Sequence, residues 1–318
     1  MEKIFLTEHI HDDAVAYLKE HFEVVQGTST EASEIIRQAQ GCAGILIRSA
    51  KITAEIMDAI PTLKVVAKHG MGVDNIDVAH ATEKGILVVN APYSNMNAVA
   101  EHIVTLLLAL SKRIVRMDKL TRNGGFAQRN TYKTMELKNA TVGIVGMGKI
   151  SRLVVKKLSA FDMHIIASDP FVKQENVGDL PVQMTSAEEV YSTSDFVVVH
   201  TSLFPSTFHL VGAEQFRMMK PTAYIINAAR GPIIDEAAMI EALKDGEIAG
   251  AGLDVFEQEP PAEDNPLFDM DNVIVSPHNA ALCDGALRAM AMDSAQGITE
   301  YLTGQAVSYP VNREVLEK

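Results

Sequence analysis

Short apolar runs alternate with amphipathic stretches along most of this chain, and the alternation predicts its secondary structure. Runs rich in valine and isoleucine are typical of strands buried on both faces, whereas apolar residues spaced three and four apart predict helices. The first series of predicted strands comprises residues 4–7, 24–26, 44–48, 63–68 and 86–90, and the second comprises 141–145, 164–168, 196–200, 223–227, 250–255 and 273–276. Strands that alternate with helices favour parallel sheets, and so an α/β protein with two doubly wound domains.

The helical pattern predicts how the two series are connected. Between the early strands, helices are expected at residues 12–21, 33–40, 53–60 and 75–83. A long apolar helix over 98–120 separates the two series, and a last helix over 286–302 has no strand to accompany it. This helix would most simply return to the first domain. We therefore predict a discontinuous domain of residues 1–98 and 286–318, interrupted by a second domain of residues 99–285.

A glycine turn opens the second series directly after its first strand. Gly146 permits a sharp turn, Gly148 lets backbone approach a pyrophosphate, and the helix that follows directs its free N–H groups at that anion. Ser151 replaces the third glycine of the usual fingerprint, a small change. The segment predicts a dinucleotide site of the Rossmann type.

Asp169 completes this signal, because it follows the next apolar strand, where a carboxylate would accept hydrogen bonds from the adenosine ribose. The same charge would repel a 2′-phosphate. Pro170 and Phe171 provide no arginine to bind one, and Lys173 is the nearby cation. Asp169 therefore favours NAD over NADP.

Composition narrows the choice of partners. The 318 residues include 41 acidic and 28 basic ones, a net charge of −13 with no basic patch, which argues against nucleic acid and anionic membranes as partners. The N-terminus does not resemble a signal peptide, and the longest apolar run, 103–110, is too short to span a bilayer, so a cytoplasmic enzyme is expected. The two cysteines, Cys42 and Cys283, have no zinc-site spacing, and no metal is predicted.

Three motifs that can support chemistry follow strands of the second series. Arg230 precedes a glycine and is suited to grip a carboxylate, Glu257 and Glu259 follow another strand, and His278 follows Pro277 after the last. In a parallel sheet these strand ends share the edge where ligands bind.

These motifs resemble the NAD-dependent D-2-hydroxyacid dehydrogenase family, most closely its phosphoglycerate and hydroxypyruvate/glyoxylate branches. The resemblance covers nearly the whole chain. Its remaining motifs are residues 69–77, 90–92, 99–102 and 219–221.

The resemblance implies that Arg230 binds the carboxylate and carbonyl oxygen of a 2-oxo acid, while His278 exchanges a proton with the oxygen on C2. Histidine, with an ordinary pKa of about 6.5, can serve as acid and base. A carboxylate at its far nitrogen would favour the imidazolium that reduction requires. Glu257 and Glu259 compete for this role, and the family pattern favours Glu259, the residue before Pro260.

The resemblance implies further site residues. Lys149 and Ile150 would offer backbone N–H groups to the pyrophosphate. Thr201 and Ser202 would lie along the cofactor, and Ala228 and Asp254 would approach its nicotinamide end. In the first domain, the loop Gly70, Met71 and Gly72 would present N–H groups to the substrate carboxylate, and Arg48 would reach its distal group.

The substrate within the family is less defined. Phosphoglycerate enzymes often carry a second cation two residues after the equivalent of Arg48, and here Ala50 occupies that place. The expected reaction is therefore hydride transfer between NAD(H) and a small, hydroxypyruvate- or glyoxylate-like D-2-hydroxy acid/2-oxo acid pair. D-3-phosphoglycerate dehydrogenase is the alternative, and an NAD(H)-sensing corepressor is a rival from another class.

The expected architecture is a two-domain reductase whose active site lies in the cleft between the domains. The helix predicted over 98–120 is too apolar for a solvated crossing. It therefore indicates a homodimer.

Overall fold

A computed structural model describes residues 1–317 and divides the chain into two compact units. The first comprises Met1–Asn95 together with the segment from Ala281 onward, and the second is Met96–Ala280. Each contains a parallel β-sheet with its own helices. The predicted α/β class, with one doubly wound domain inserted in another, is confirmed.

The first unit has five strands in the order β2-β1-β3-β4-β5, all parallel. Its strands are β1 (Lys3–Leu6), β2 (Glu23–Gln26), β3 (Gly44–Ile47), β4 (Val65–Lys68) and β5 (Leu87–Asn90). The connecting helices are α1 (Asp12–His21), α2 (Ala32–Gln38), α3 (Ala54–Ala59) and α4 (Val78–Lys84). Every residue of β3 is buried, as expected for a central strand covered on both faces.

The C-terminal segment completes this first unit. Helix α11 (Asp284–Leu302) buries Ala291, Ala295 and Ile298 in the same hydrophobic cluster as the strands. Further on, the Asn312 side chain accepts a hydrogen bond from the backbone N–H of Val88 at 2.7 Å. The predicted return of the last helix to the first domain therefore has a clear physical basis, since the first sheet needs apolar cover.

The second unit has seven parallel strands in the order β12-β11-β10-β9-β6-β7-β8. They are β6 (Thr141–Val145), β7 (His164–Ser168), β8 (Gln183–Met184), β9 (Phe196–Val199), β10 (Tyr224–Asn227), β11 (Gly250–Leu253) and β12 (Val273–Val275). Its helices are α5 (Met96–Lys112), α6 (Ile114–Arg122), α7 (Lys149–Leu158), α8 (Ala187–Thr193), α9 (Ala213–Met218) and α10 (Glu236–Asp245). The strand order reverses beside β6, which is where open α/β sheets bind ligands.

The helix predicted over 98–120 is two helices in the structure. Arg113 adopts a left-handed conformation (φ 49°, ψ 36°) and separates α5 from α6. Such a residue interrupts the i→i−4 hydrogen bonds of an α-helix. Helix α5 is largely buried against the sheet, whereas α6 has no buried residue. None of the helices within residues 1–317 is both long and apolar enough to cross a bilayer.

Candidate active site

The glycine turn after β6 has the geometry of an anion site. Gly146 has a φ of 93°, and a Cβ placed there would lie 2.6 Å from the carbonyl oxygen of His200, so only glycine fits. A Cβ on Gly148 would meet no atom within 4 Å. No side chain caps α7, which begins directly after Gly148. The space beside Gly148 and the start of α7 without a side-chain cap are suited to a bound pyrophosphate.

Ser151 explains how the chain tolerates the missing third glycine. The residue is fully buried, and its hydroxyl donates a 2.6 Å hydrogen bond to the carbonyl oxygen of Gly146. The added polar atom is thus satisfied inside the turn that it would otherwise disturb. The hydroxyl also ties the first turn of α7 to the glycine turn.

Asp169 lies at the end of β7, next to this turn. One carboxylate oxygen accepts a hydrogen bond from the backbone N–H of Met147, and the other accepts one from that of Phe171, both at 2.8 Å. These two bonds hold the carboxylate at the edge of the sheet where a ribose would lie. The residues present here therefore fit a dinucleotide.

The other residues predicted to contact the cofactor are distributed along the same edge. Thr201 lies beside the glycine turn, since its Cβ is 3.0 Å from the point that a Cβ on Gly146 would occupy. The carbonyl of Ser202 accepts a hydrogen bond from Thr207. Ala228 is buried after β10, Ile150 is buried in α7, and Lys149 is exposed at its start.

Arg230 follows β10 in a loop that the buried side chain of Asn227 organises. The Asn227 amide donates to the carbonyl of Arg230 and accepts from the N–H of Ala229, each at 2.9 Å. The Arg230 guanidinium donates to the carbonyl of Ala229 at 2.7 Å. Gly231 packs directly on the backbone of Phe256, in the segment that leads to Glu259. The loop is therefore rigid and presents a cation at the carboxyl edge of the sheet.

The structure pairs Glu259 with His278. Oε2 of Glu259 is 2.8 Å from Nδ1 of His278, and Oε1 accepts a hydrogen bond from the N–H of Phe256. Burial by itself raises the pKa of Glu259. The His278 hydrogen bond and charge, the Phe256 N–H and the Arg230 charge outweigh it, so the pKa of Glu259 lies below its ordinary value. Because Nδ1 is engaged by a carboxylate, Nε2 is the nitrogen of His278 that can exchange a proton with a substrate.

Glu257, the competing carboxylate, has a different partner. Its Oε1 is 2.9 Å from Nε2 of His209, and its Oε2 accepts the N–H of Glu236. Glu257 is thus committed to a second histidine, and the choice of Glu259 for His278 agrees with the geometry.

Asp254 organises the loop that carries His278. It is buried at the end of β11, and its carboxylate accepts hydrogen bonds from the Ser276 hydroxyl at 2.6 Å, the Asn279 N–H at 2.9 Å and the Ala280 N–H at 3.0 Å. These donors bracket His278, whose φ of 49° is unusual for a residue other than glycine. Contact of Asp254 with a nicotinamide stays a prediction. The role of Ser276 was not predicted, although its position before Pro277 and His278 was a usable signal.

His200, at the same edge, is partly buried. Its Nδ1 has no hydrogen-bond partner within residues 1–317. Burial and the charge of Arg230 lower the pKa of His200 to about 4. The ring is therefore neutral at physiological pH.

The substrate residues predicted in the first unit lie after its strands. The backbone N–H of Arg48 donates to Glu8 at 2.9 Å, and its guanidinium donates to the carbonyl of His9 at 3.2 Å. Burial raises the pKa of Glu8, but hydrogen bonds from Ser49, Arg48 and Thr7 overcome this and lower it to about 2. Glu8 is thus an anion that holds the turn after β3.

The loop of Gly70, Met71 and Gly72 is fixed to the end of β5. The Asn90 amide donates to the carbonyl of Met71 at 2.7 Å, and the N–H of Ala91 donates to that of Gly70 at 2.9 Å. Gly70 has a φ of 133°, which favours glycine.

Lys68, at the end of β4, was missed by the sequence reasoning. Its ammonium group donates a hydrogen bond to the carbonyl of Arg48. A second cation therefore lies close to the turn of Arg48, and its place one strand away from Arg48 was visible only in the sheet.

Comparison with known proteins agrees with this geometry. Residues 104–280 match the model of the D-isomer specific 2-hydroxyacid dehydrogenase, NAD binding domain. D-3-phosphoglycerate dehydrogenase of Methanocaldococcus jannaschii is 40% identical over 314 residues, which are 98% of this chain and 60% of that protein. Glyoxylate reductase of Thermofilum pendens is 39% identical over 324 residues, covering 99% of this chain and 96% of that protein.

A solved structure shares the fold. NADPH-dependent glyoxylate/hydroxypyruvate reductase of Sinorhizobium meliloti superposes with a TM-score of 0.88 at 28% identity, covering 99% of each chain. The relatives therefore include proteins of both substrate classes, and the chain spans only 60% of the length of the first phosphoglycerate dehydrogenases that it matches.

Proposed function

The chain belongs to the D-2-hydroxyacid dehydrogenase family, an NAD-binding family, and we propose on this premise that it interconverts a small D-2-hydroxy acid and its 2-oxo acid. The observation that carries the proposal is the 2.8 Å contact between His278 and Glu259, in the same unit as Arg230 and the glycine turn. An acid/base histidine, its carboxylate partner, a cation and a dinucleotide site are the parts that the reaction needs.

In the direction of reduction, His278 starts as an imidazolium and gives the proton on Nε2 to the oxygen on C2 of the substrate. The carboxylate of Glu259 at Nδ1 stabilises the cation and orients the ring. The glycine turn and Asp169 would hold NADH, which when bound would supply the hydride that C2 gains. Arg230 holds the substrate carboxylate and offsets the negative charge that develops on the carbonyl oxygen. In oxidation, neutral His278 accepts the hydroxyl proton.

We propose a substrate of the glyoxylate or hydroxypyruvate class. The glyoxylate reductase of Thermofilum pendens is 39% identical to this chain, and this similarity supports that class. Ala50 also leaves the place of a second cation after Arg48 without charge.

One observation favours the alternative, a phosphorylated substrate such as that of D-3-phosphoglycerate dehydrogenase. Lys68 lies against the turn of Arg48, so that the first unit carries two neighbouring cations. Two cations are suited to a phosphate dianion. Arg48→Ala separates the two cases. It should raise the KM for a phosphorylated 2-oxo acid far more than the KM for glyoxylate if phosphate binds there.

Initial rates of NADH oxidation test the proposal directly. Purified protein would be assayed against small, branched and phosphorylated 2-oxo acids, with His278→Ala as the control. Turnover that depends on His278 supports the proposal and ranks the substrates. Tight NADH binding without turnover of any acid would contradict it and favour an NAD(H)-sensing protein.

We further propose that two copies associate through the region of α5 and α6. Ile114 and Val115 are each 55% exposed at the start of α6, which has no buried residue of its own. A second copy would cover these side chains. Sedimentation of a monomer at micromolar concentration would contradict this assembly.

A further inference from the structure

We propose that His102 is a positioning residue that holds the loop of His278 through Ser276 and Asp254. The inference rests on the proposed function, because it assigns this role relative to the acid/base histidine. His102 lies on α5, far from His278 in sequence, and touches neither Glu259 nor His278 in the hydrogen bonds of the site.

Three side chains form a continuous hydrogen-bonded chain. Nε2 of His102 is 2.9 Å from Oγ of Ser276, and that Oγ is 2.6 Å from Oδ1 of Asp254. Nε2 of His102 is also 3.5 Å from the same carboxylate oxygen. Asp254 is 1% exposed, so the chain ends on a carboxylate shielded from water.

The direction of each hydrogen bond follows from the number of protons. A serine hydroxyl has one hydrogen, and an ionised carboxylate can only accept. Ser276 therefore donates its one hydrogen to Asp254. Towards His102, the Ser276 oxygen can only accept a hydrogen bond. It follows that His102 donates from Nε2–H, and that the tautomer with hydrogen on Nδ1 alone would break the chain.

The hydrogen-bonded side chains hold the backbone that precedes His278, through Ser276. Asp254 holds the backbone that follows His278 directly. The carboxylate also accepts the N–H groups of Asn279 and Ala280, and the N–H of His278 donates to the carbonyl of Ser276 at 3.0 Å. His278 keeps its left-handed φ of 49° between these anchors. A residue in such a conformation persists only where its surroundings enforce it.

Helix α5 is a firm base for the donor. The neighbouring residues Ile103, Leu106 and Leu107 are buried, and Leu106 packs against Gly252 of β11. Without the His102 donor, the Ser276 hydroxyl would retain Asp254 and the carbonyl of Leu253, 3.4 Å away, as competing acceptors. The hydroxyl could then rotate, and the loop would lose one of its fixed points.

The test compares a variant that removes the donor with one that retains it. His102→Leu keeps the bulk of the ring without a donor, and His102→Gln offers an amide N–H in its place. His164→Leu, an exposed histidine on β7, is the matched control. We expect His102→Leu to lower kcat about tenfold with both KM values, for NADH and for the 2-oxo acid, within about twofold, because a small displacement of His278 affects proton transfer more than binding. His102→Gln should recover most of kcat, and His164→Leu should match the wild type.

Ser276→Ala keeps the test decisive if His102→Leu fails to fold. Ser276→Ala should lower kcat in the same way. Where the double variant folds, it should be no slower than the slower single variant, because both side chains act through the same hydrogen bonds. The proposal is overturned if His102→Leu or Ser276→Ala keeps wild-type kcat, if the loss lies in KM, or if His102→Gln is no better than His102→Leu.

A second readout separates this inference from the proposed function. Nitrogen-15 NMR of labelled histidines reports which ring nitrogen of His102 carries hydrogen, whether or not the protein turns over any 2-oxo acid. A protonated Nε2 that changes its signal in Ser276→Ala supports the chain. A neutral ring with hydrogen on Nδ1 alone overturns it.

Discussion

The α-carbon of Gly231 faces the backbone of Phe256 so closely that an added Cβ would lie 1.8 Å from the Phe256 carbonyl oxygen. The contact joins the loop of Arg230 to the segment that ends in Glu259. Arg230 and Glu259, which are proposed to act on one substrate, thus both depend on this backbone contact, where no side chain fits.

Gly231→Ala should therefore destabilise the second unit and disturb both loops. Overpacking commonly costs about 1–3 kcal/mol, and here the obstacle is backbone, so we expect a loss of at least about 2 kcal/mol in the free energy of unfolding by urea. Gly148→Ala is the control for stability, because its Cβ meets no atom within 4 Å. Equal stability of the two variants would show that the loops can move apart freely.

Glu259→Gln should slow reduction while leaving NADH affinity near the wild-type value. The variant keeps the shape of the side chain but removes the charge that favours the His278 imidazolium. Because the pKa of Glu259 is lowered, the wild-type carboxylate is ionised across the neutral range. We expect a fall in kcat of about 10² at neutral pH, by analogy with other acid/base residues.

Glu257→Gln is the matched control for this measurement, since Glu257 pairs with His209. Its kcat should stay close to that of the wild type. A larger loss in Glu257→Gln than in Glu259→Gln would exchange the roles of the two carboxylates.

Asp169→Asn should weaken the preference for NADH over NADPH. The amide oxygen can still accept one of the two backbone N–H groups, but the charge that would oppose a 2′-phosphate is gone. Two unit charges 4 Å apart interact by about 1 kcal/mol in water and by more near a protein surface, so the ratio of kcat/KM for the two cofactors should move at least about fivefold towards NADPH. Asp162→Asn, in the exposed turn before β7, should leave the ratio unchanged.

His69 should make the stability of the first unit depend on pH. Burial, followed by the charge of Arg48, lowers the pKa of His69 to about 4 from 6.5. The unfolded chain thus takes up this proton first as pH falls. The contribution of neutral His69 to the free energy of unfolding is complete above about pH 6.5 and is lost progressively towards about pH 4.

Urea unfolding at about pH 7 and about pH 5 measures this contribution. His69→Gln has no ring to protonate, and we expect its free energy of unfolding to fall by about 2 kcal/mol less than that of the wild type between the two conditions. Substitution of the exposed His21 should leave the wild-type difference unchanged. The same fall in His69→Gln and wild type would contradict the assignment.

Apolar runs predicted most of the sheet, because buried parallel strands must be continuously apolar. They missed β8, since Gln183 and Met184 form no such run. They also missed the break at Arg113, because a left-handed backbone at that position has no signature in side-chain periodicity.

The placement of the candidate residues at the edge of the sheet was predictable where a motif follows a strand, as for Gly146, Asp169, Arg230 and His278. It was not predictable where partners meet only after folding. His102 and Ser276 are 174 positions apart in the chain, and Lys68 reaches Arg48 from a neighbouring strand. Periodicity and spacing describe one segment at a time, and such contacts join two. The cytoplasmic location remains a prediction.

The contact of Asn312 with Val88 spans 224 positions, and it has a consequence for folding during synthesis. On a translating ribosome, the strands of the first sheet emerge long before α11 and Asn312 can cover them. The whole second unit is made in the interval. Apolar surface of the first sheet therefore stays exposed until the C-terminal segment has been made. Chaperones bind exposed apolar surface of this kind on nascent chains.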